Sequence, residues 1–238
     1  MDASAIIALI TAIVALIFAA LLARQYIQRK RPHQLLWAAS MVLFALTSLI
    51  EFSMDPNVLG PNISIFRIYF IAAATLVGLL GAGTVYLLAH KRFAQFFLGV
   101  IIILSLGLLI TGLLAPIDST VFNDSFAISL VNGIANASAS YPFYVQIFAM
   151  LLDIVGSIFL IGGALYSFVR DRSRMYNLLI AAGGALPALG GALLGIFNDP
   201  SVFFESTLAG IILLFIGFLL STSRLTKRGR TPQTQAQV

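Results

Sequence analysis

The chain has 238 residues, of which 60% are hydrophobic and 10% charged, with a mean hydropathy of +1.00 and a net charge of +5. A soluble domain carries about 25% charged residues, so this chain cannot cover a water-exposed surface, and its hydrophobicity is far too high for disorder. The absence of cysteine excludes disulfides, thiolate metal sites and a thiol nucleophile, and two histidines, His33 and His90, leave no basis for a multi-histidine metal centre. No cofactor and no metal are expected.

A helix needs roughly 20 mainly apolar residues to cross the hydrocarbon core of a bilayer. Seven segments meet this length, at about 4–26, 35–52, 65–89, 93–115, 143–169, 176–197 and 202–222. Seven of the eight prolines lie outside them, as expected of a residue that lacks a backbone donor and clashes with the preceding turn. The expected fold is therefore all-α, a single polytopic bundle of seven transmembrane helices over residues 1–224. A basic, then polar tail follows at 225–238. The first span lacks the positive n-region of a signal peptide and reads as an anchor.

Charge gives the direction. Arg24, Arg29, Lys30 and Arg31 follow the first span, Lys91 and Arg92 the third, Arg170, Arg172 and Arg174 the fifth, and Arg224, Lys227, Arg228 and Arg230 the seventh. Thirteen of the fourteen basic residues thus fall on one side, which the positive-inside rule makes cytoplasmic. The N-terminus is expected outside and the C-terminus inside, in the cell membrane. The high positive charge is explained by topology and by attraction to anionic lipids at the cytoplasmic face, not by nucleic acid.

The turns on the basic side share a short pattern. Arg31-Pro-His-Gln34-Leu-Leu-Trp-Ala38 matches Arg92-Phe-Ala-Gln95-Phe-Phe-Leu-Gly99 and Arg174-Met-Tyr-Asn177-Leu-Leu-Ile-Ala181 in kind. On the opposite side, three sequons at Asn62, Asn123 and Asn136 are candidates for glycosylation. A Ser/Asn-rich loop from about 116 to 142 includes an amphipathic stretch at 126–134. In the sixth span, Gly184, Ala188, Gly191 and Gly195 form one small-residue stripe for close helix packing, Gly183 and Gly190 widen it, and Pro187 is a candidate hinge.

Ionisable groups at membrane depth are costly and tend to be functional. Asp153 lies about 15 Å into the fifth span, with Ser157 one turn further on. Glu205 lies one turn into the seventh span, Glu51 at the outer end of the second and Arg67 near the outer start of the third. Arg67 is expected to pair with one carboxylate, leaving the others to hold a proton or bind a cation. Tyr69, Tyr144 and Gln146 are candidates to complete an outward pocket or to belong to the outer interfacial belt. Tyr26, Trp37 and Tyr176 read as an aromatic belt at the inner interface.

The topology resembles that of retinal proteins and seven-helix receptors. A retinal Schiff base, however, requires a lysine in the last span, and Lys30, Lys91 and Lys227 all fall outside it. Neither a G-x-S-x-G elbow, an H-E-x-x-H helix nor a P-loop is present, so no enzymatic activity is expected. Two functional classes stay open. One is a small transporter or channel that takes a cation, proton or small polar solute to Asp153 from outside, through a hydrated cavity between spans two, three, five and seven. The other is a non-catalytic receptor-like or accessory subunit that binds a lipid, ligand or membrane partner, including a second copy of itself.

Overall fold

A computed structural model describes residues 3–120, 122, 138–197 and 200–228, with the side chains of 138, 191–200 and 222–228 outside that description. It contains seven long helices: α1 (Ala3–Arg29), α2 (Pro32–Ser53), α3 (Ile63–Leu88), α4 (Lys91–Leu114), α5 (Phe143–Arg170), α6 (Tyr176–Phe197) and α7 (Pro200–Arg228). A single 3₁₀ turn, Ser138–Ser140, precedes α5, and there is no strand among the described residues. Six of the helices, all but α6, are long and apolar enough to cross a membrane. In hydrocarbon every backbone donor and acceptor must be satisfied within the segment, which is why such long apolar runs fold as helices. The molecule is an integral membrane bundle.

The helix boundaries follow local chemistry. Lys30 adopts a left-handed φ of 50° beyond the end of α1, and Pro32 opens α2 where its missing N–H costs nothing. The α2–α3 connection turns on Gly60, whose φ of 76° favours glycine, while the Asp55 side chain accepts a 2.7 Å bond from the Asn57 N–H. The sequon residue Asn62 is exposed and caps α3, accepting from the amides of Ser64 and Ile65 at 2.9 and 3.2 Å. Asn123, Asn136 and the amphipathic stretch 126–134 lie outside the described residues. α7 continues to Arg228, past the expected start of the tail.

Six helices form a closed ring in which each packs on its neighbours in the order α1, α2, α3, α5, α6, α7 and back to α1. α4 stands outside the ring, against α3 and α5. Its outer face is correspondingly bare, with Ile103 69% and Leu114 80% exposed. Side chains of this kind require lipid, not water, around them.

Glycines set the crossings. A Cβ on Gly81 would lie 2.7 Å from the backbone of Gly156, and one on Gly156 would strike the Val77 carbonyl, so α3 and α5 touch backbone to backbone. A Cβ on Gly183 would meet Gly210 at 2.7 Å, which makes the same contact between α6 and α7. The packing stripe of α6 therefore differs from the expected one. Gly183, Pro187 and Gly190 face α7, with the Pro187 ring against Gly210, whereas Gly184 packs on Leu160 of α5 and Ala188 is exposed. Nearly every position of this helix is small, so two small faces coexist, one on α7 and one on α5. Gly191 and Gly195 lie where only the helical backbone is described. α6 is continuous through Pro187.

Candidate functional site

At the basic end the ring encloses a cavity of about 620 Å³. Helices α1, α2, α3, α5, α6 and α7 all line it, and α4 does not. Exposed Arg29, Arg31 and Arg174 stand among its lining residues, so the cavity opens at this end. Deeper in, amide and hydroxyl groups pair across helices. Gln34 of α2 donates from Nε2 to Gln25 Oε1 of α1 at 3.2 Å, and Asn177 of α6 donates from Nδ2 to Ser167 Oγ of α5 at 2.8 Å. The Gln34 Oε1 is buried without a partner. Trp37 donates its indole N–H to the Leu80 carbonyl of α3 at 3.2 Å, and its ring fills the space a side chain at Gly83 would need.

One turn further in, the polar lining ends. Leu22 and Phe18 of α1, Met41 of α2, Leu80 of α3, Leu160 of α5, Ile180 of α6, and Leu214 and Phe218 of α7 converge around a space of only about 10 Å³. All six ring helices contribute to this apolar belt. It closes the cavity from the other half of the bundle.

Beyond the belt lie the intramembrane acids. Asp153 precedes Leu160 by two turns on the same face of α5 that carries Leu160, Ala164 and Ser167 to the cavity, about 10 Å further along the axis. Its side chain is exposed. Ser157, half-buried, lies between them on this face. Across the α2–α3 interface, Glu51 is 4% exposed and accepts a 3.1 Å bond on Oε1 from the Tyr69 hydroxyl, while its Oε2 has no partner. Glu51 and Tyr69 thus form one hydrogen-bonded pair across two helices, with Asp153 on a third.

The other candidates stand elsewhere. Arg67 pairs with no carboxylate among the described residues. Its Nη1 donates to the carbonyls of Gly112, Leu113 and Ala115 at 2.8, 3.1 and 2.8 Å, closing the C-terminus of α4, where helix carbonyls lack internal partners. Tyr141 donates to the same Gly112 carbonyl at 3.0 Å, and burial pushes its phenol up to about 12, so it stays a donor. Glu205 is exposed on the side of α7 that carries exposed Ile212 and Ile216, opposite the inward series Phe204, Thr207, Ile211 and Leu214, and so does not face the ring. Gln146 is spent locally, donating to the Tyr141 carbonyl at 2.7 Å, and Tyr144 is exposed. The described cavity is therefore at the opposite end from the one expected, and Asp153, Glu51, Arg67 and Glu205 are not among its lining residues.

Trp37 and Tyr176, expected in an aromatic belt at the inner interface, line the cavity at that end, as do Gln25, His33, Gln34 and Asn177. A signal for two of these lay in the shared turn pattern. Gln34 and Asn177 occupy its equivalent positions on ring helices and are both buried, whereas Gln95, on peripheral α4, is exposed. The chain matches no family model, and comparison with curated proteins and with solved structures returned no match.

Proposed function

We propose that this protein is a small multi-pass transporter or channel of the cell membrane for a cation, proton or small polar solute, with Asp153 as the group that engages it. In this reading α6 is the seventh span, and the basic end faces the cytoplasm because translocating arginine and lysine is unfavourable. The observation that carries the reading is the ring itself. A cavity enters it from one end and stops at a single apolar belt, and a carboxylate sits on the same helix face about 10 Å beyond. An arrangement with solvent on one side of a thin barrier and a charged group on the other is what a gated path requires. The glycine crossings Gly81–Gly156 and Gly183–Gly210 give smooth surfaces along which α5 and α6 can shift. Asp153 holds a proton or a cation, and Glu51 with Tyr69 supplies the neighbouring charge and hydrogen bond.

The test is flux in proteoliposomes, read with an entrapped pH-sensitive dye for protons and with radiolabelled sodium and potassium for cations. Wild-type protein is expected to exceed empty liposomes for at least one of these, and Asp153→Asn to return that flux to the empty-liposome level while unfolding at an unchanged temperature. Equal flux in Asp153→Asn removes Asp153 from the path. No wild-type flux of any of the three overturns ion transport and leaves the receptor-like reading.

A further inference from the structure

From the cavity at the basic end we infer a second, independent site that binds a small organic anion with an apolar body, entering from water. Its chemistry is layered. Arg29, Arg31 and Arg174 stand at the rim with His33 beside them, and Leu160, Trp37, Ile180 and Phe218 line the depth. Arg174 is already engaged, its Nε 2.9 Å from Asp171 Oδ2, and this is the single ion pair among the described residues. Arg29 and Arg31 therefore bring two positive charges to the cavity with no carboxylate partner there. A guanidinium recognises a carboxylate or phosphate by paired N–H donors, and such charge-assisted bonds are the strong ones. The apolar depth takes the rest of the molecule, and the volume of about 620 Å³ suits a ligand of drug-like size.

The site is more than the positive edge that membrane topology imposes. Peripheral Lys91 and Arg92, at the same end on α4, line no part of the cavity, whereas Arg29 and Arg31 do. The shared chemistry is an anionic group on an apolar body, and the lipid composition of the test separates a dissolved anion from a lipid headgroup. The inference does not depend on the transport reading, since it concerns binding alone.

Trp37 is the sole tryptophan of the chain and lies in the cavity wall, so its fluorescence reports occupancy directly. The probe is 4-nitrobenzoate, an aromatic carboxylate that quenches indole on contact. Uncharged 4-nitrobenzyl alcohol and cationic 4-nitrobenzylamine serve as shape-matched controls, with the full chain held in phosphatidylcholine nanodiscs. Saturable quenching by 4-nitrobenzoate alone is expected. The double variant Arg29→Gln/Arg31→Gln, altered only at exposed positions, should raise the half-saturation concentration about tenfold or more, and Arg29→Lys/Arg31→Lys should restore part of the loss. Equal, unsaturable quenching by all three probes, or no change in the double glutamine variant, would reduce the cavity to a hydrated vestibule and overturn the inference. Loss of saturable quenching when phosphatidylglycerol replaces about a tenth of the lipid would assign the cavity to lipid headgroups and overturn it as well.

Discussion

At the basic end of the ring, Gln25, Gln34, Ser167 and Asn177 hydrogen-bond in pairs around open space, and arginines at the rim stand in water. At the other end, Glu51 and Tyr69 close on each other inside packed helices, near Phe66 and Met54, both fully buried, and Asp153 stands apart on α5. The same six helices build both halves. The difference is one of space: the basic end keeps an open cavity around its polar side chains, while the far end packs Glu51 and Tyr69 among apolar neighbours, and each half holds a buried acceptor without a partner, Gln34 Oε1 in one and Glu51 Oε2 in the other. The apolar belt is what keeps the two regimes separate.

The most disruptive substitution lies at the contact both halves share. Gly156 lies between Asp153 and Leu160 and touches the α3 backbone, so Gly156→Leu should separate α3 from α5 and cost about 3 kcal/mol or more, seen as a large fall in thermal unfolding temperature. A fold that tolerates leucine there would mean that α3 and α5 do not meet at this point. A change confined to the far end should do less. Arg67→Gln removes a charged donor from three α4 carbonyls and is expected to cost about 2 kcal/mol in unfolding while leaving quenching of Trp37 by 4-nitrobenzoate unaltered. An effect on Trp37 would show that the belt does not insulate the halves.

The smallest effect belongs to the basic end. Hydrogen bonds from Ser173 hold the exposed Asp171 carboxyl below its ordinary value of 3.8, with Arg174 adding to the shift. A depressed carboxyl contributes stability above its unfolded value and loses it as pH falls through the folded one. Asp171→Asn should therefore be slightly less stable than wild type at neutral pH, with the gap closing only below about pH 3.8, as thermal melts across that range would record. A gap that persists unchanged in acid would remove the Asp171 charge as its source.

The helices were legible because each boundary has a local cause. Expected spans at 143–169 and 176–197 fall within a residue of α5 and α6, since Pro142, the basic turn at 170–174 and the length of apolar runs all act locally. What each helix faces was not legible. In lipid the outward side of a helix is as apolar as its inward side, so the periodicity that reveals a core in a soluble protein is nearly absent. This is why Glu205 could not be told from Glu51: both stand near a helix end among apolar residues, and only the packing of α7 turns one outward. Arg67 misled for a related reason. A carboxylate is the obvious partner in sequence, but the nearest unsatisfied acceptors were the last carbonyls of α4, which any helix end exposes whatever its side chains. Asp153 kept its prominence because its spacing to Leu160, Ala164 and Ser167 is a property of one helix alone.

We propose that the apolar belt parts the cavity at the basic end, which Ser167 lines, from the half of the bundle that holds Ser157 and Asp153. The chain contains no cysteine, so single substitutions report cleanly. Ser167→Cys and Ser157→Cys flank Leu160, and each is to be reacted with a membrane-impermeant maleimide in right-side-out and inverted vesicles. Ser167→Cys is expected to be labelled only from the cytoplasmic face and Ser157→Cys only from the outside. Labelling of Ser157→Cys from the cytoplasmic face, or only by a membrane-soluble maleimide, would place it in the lower cavity or against lipid and contradict the claim.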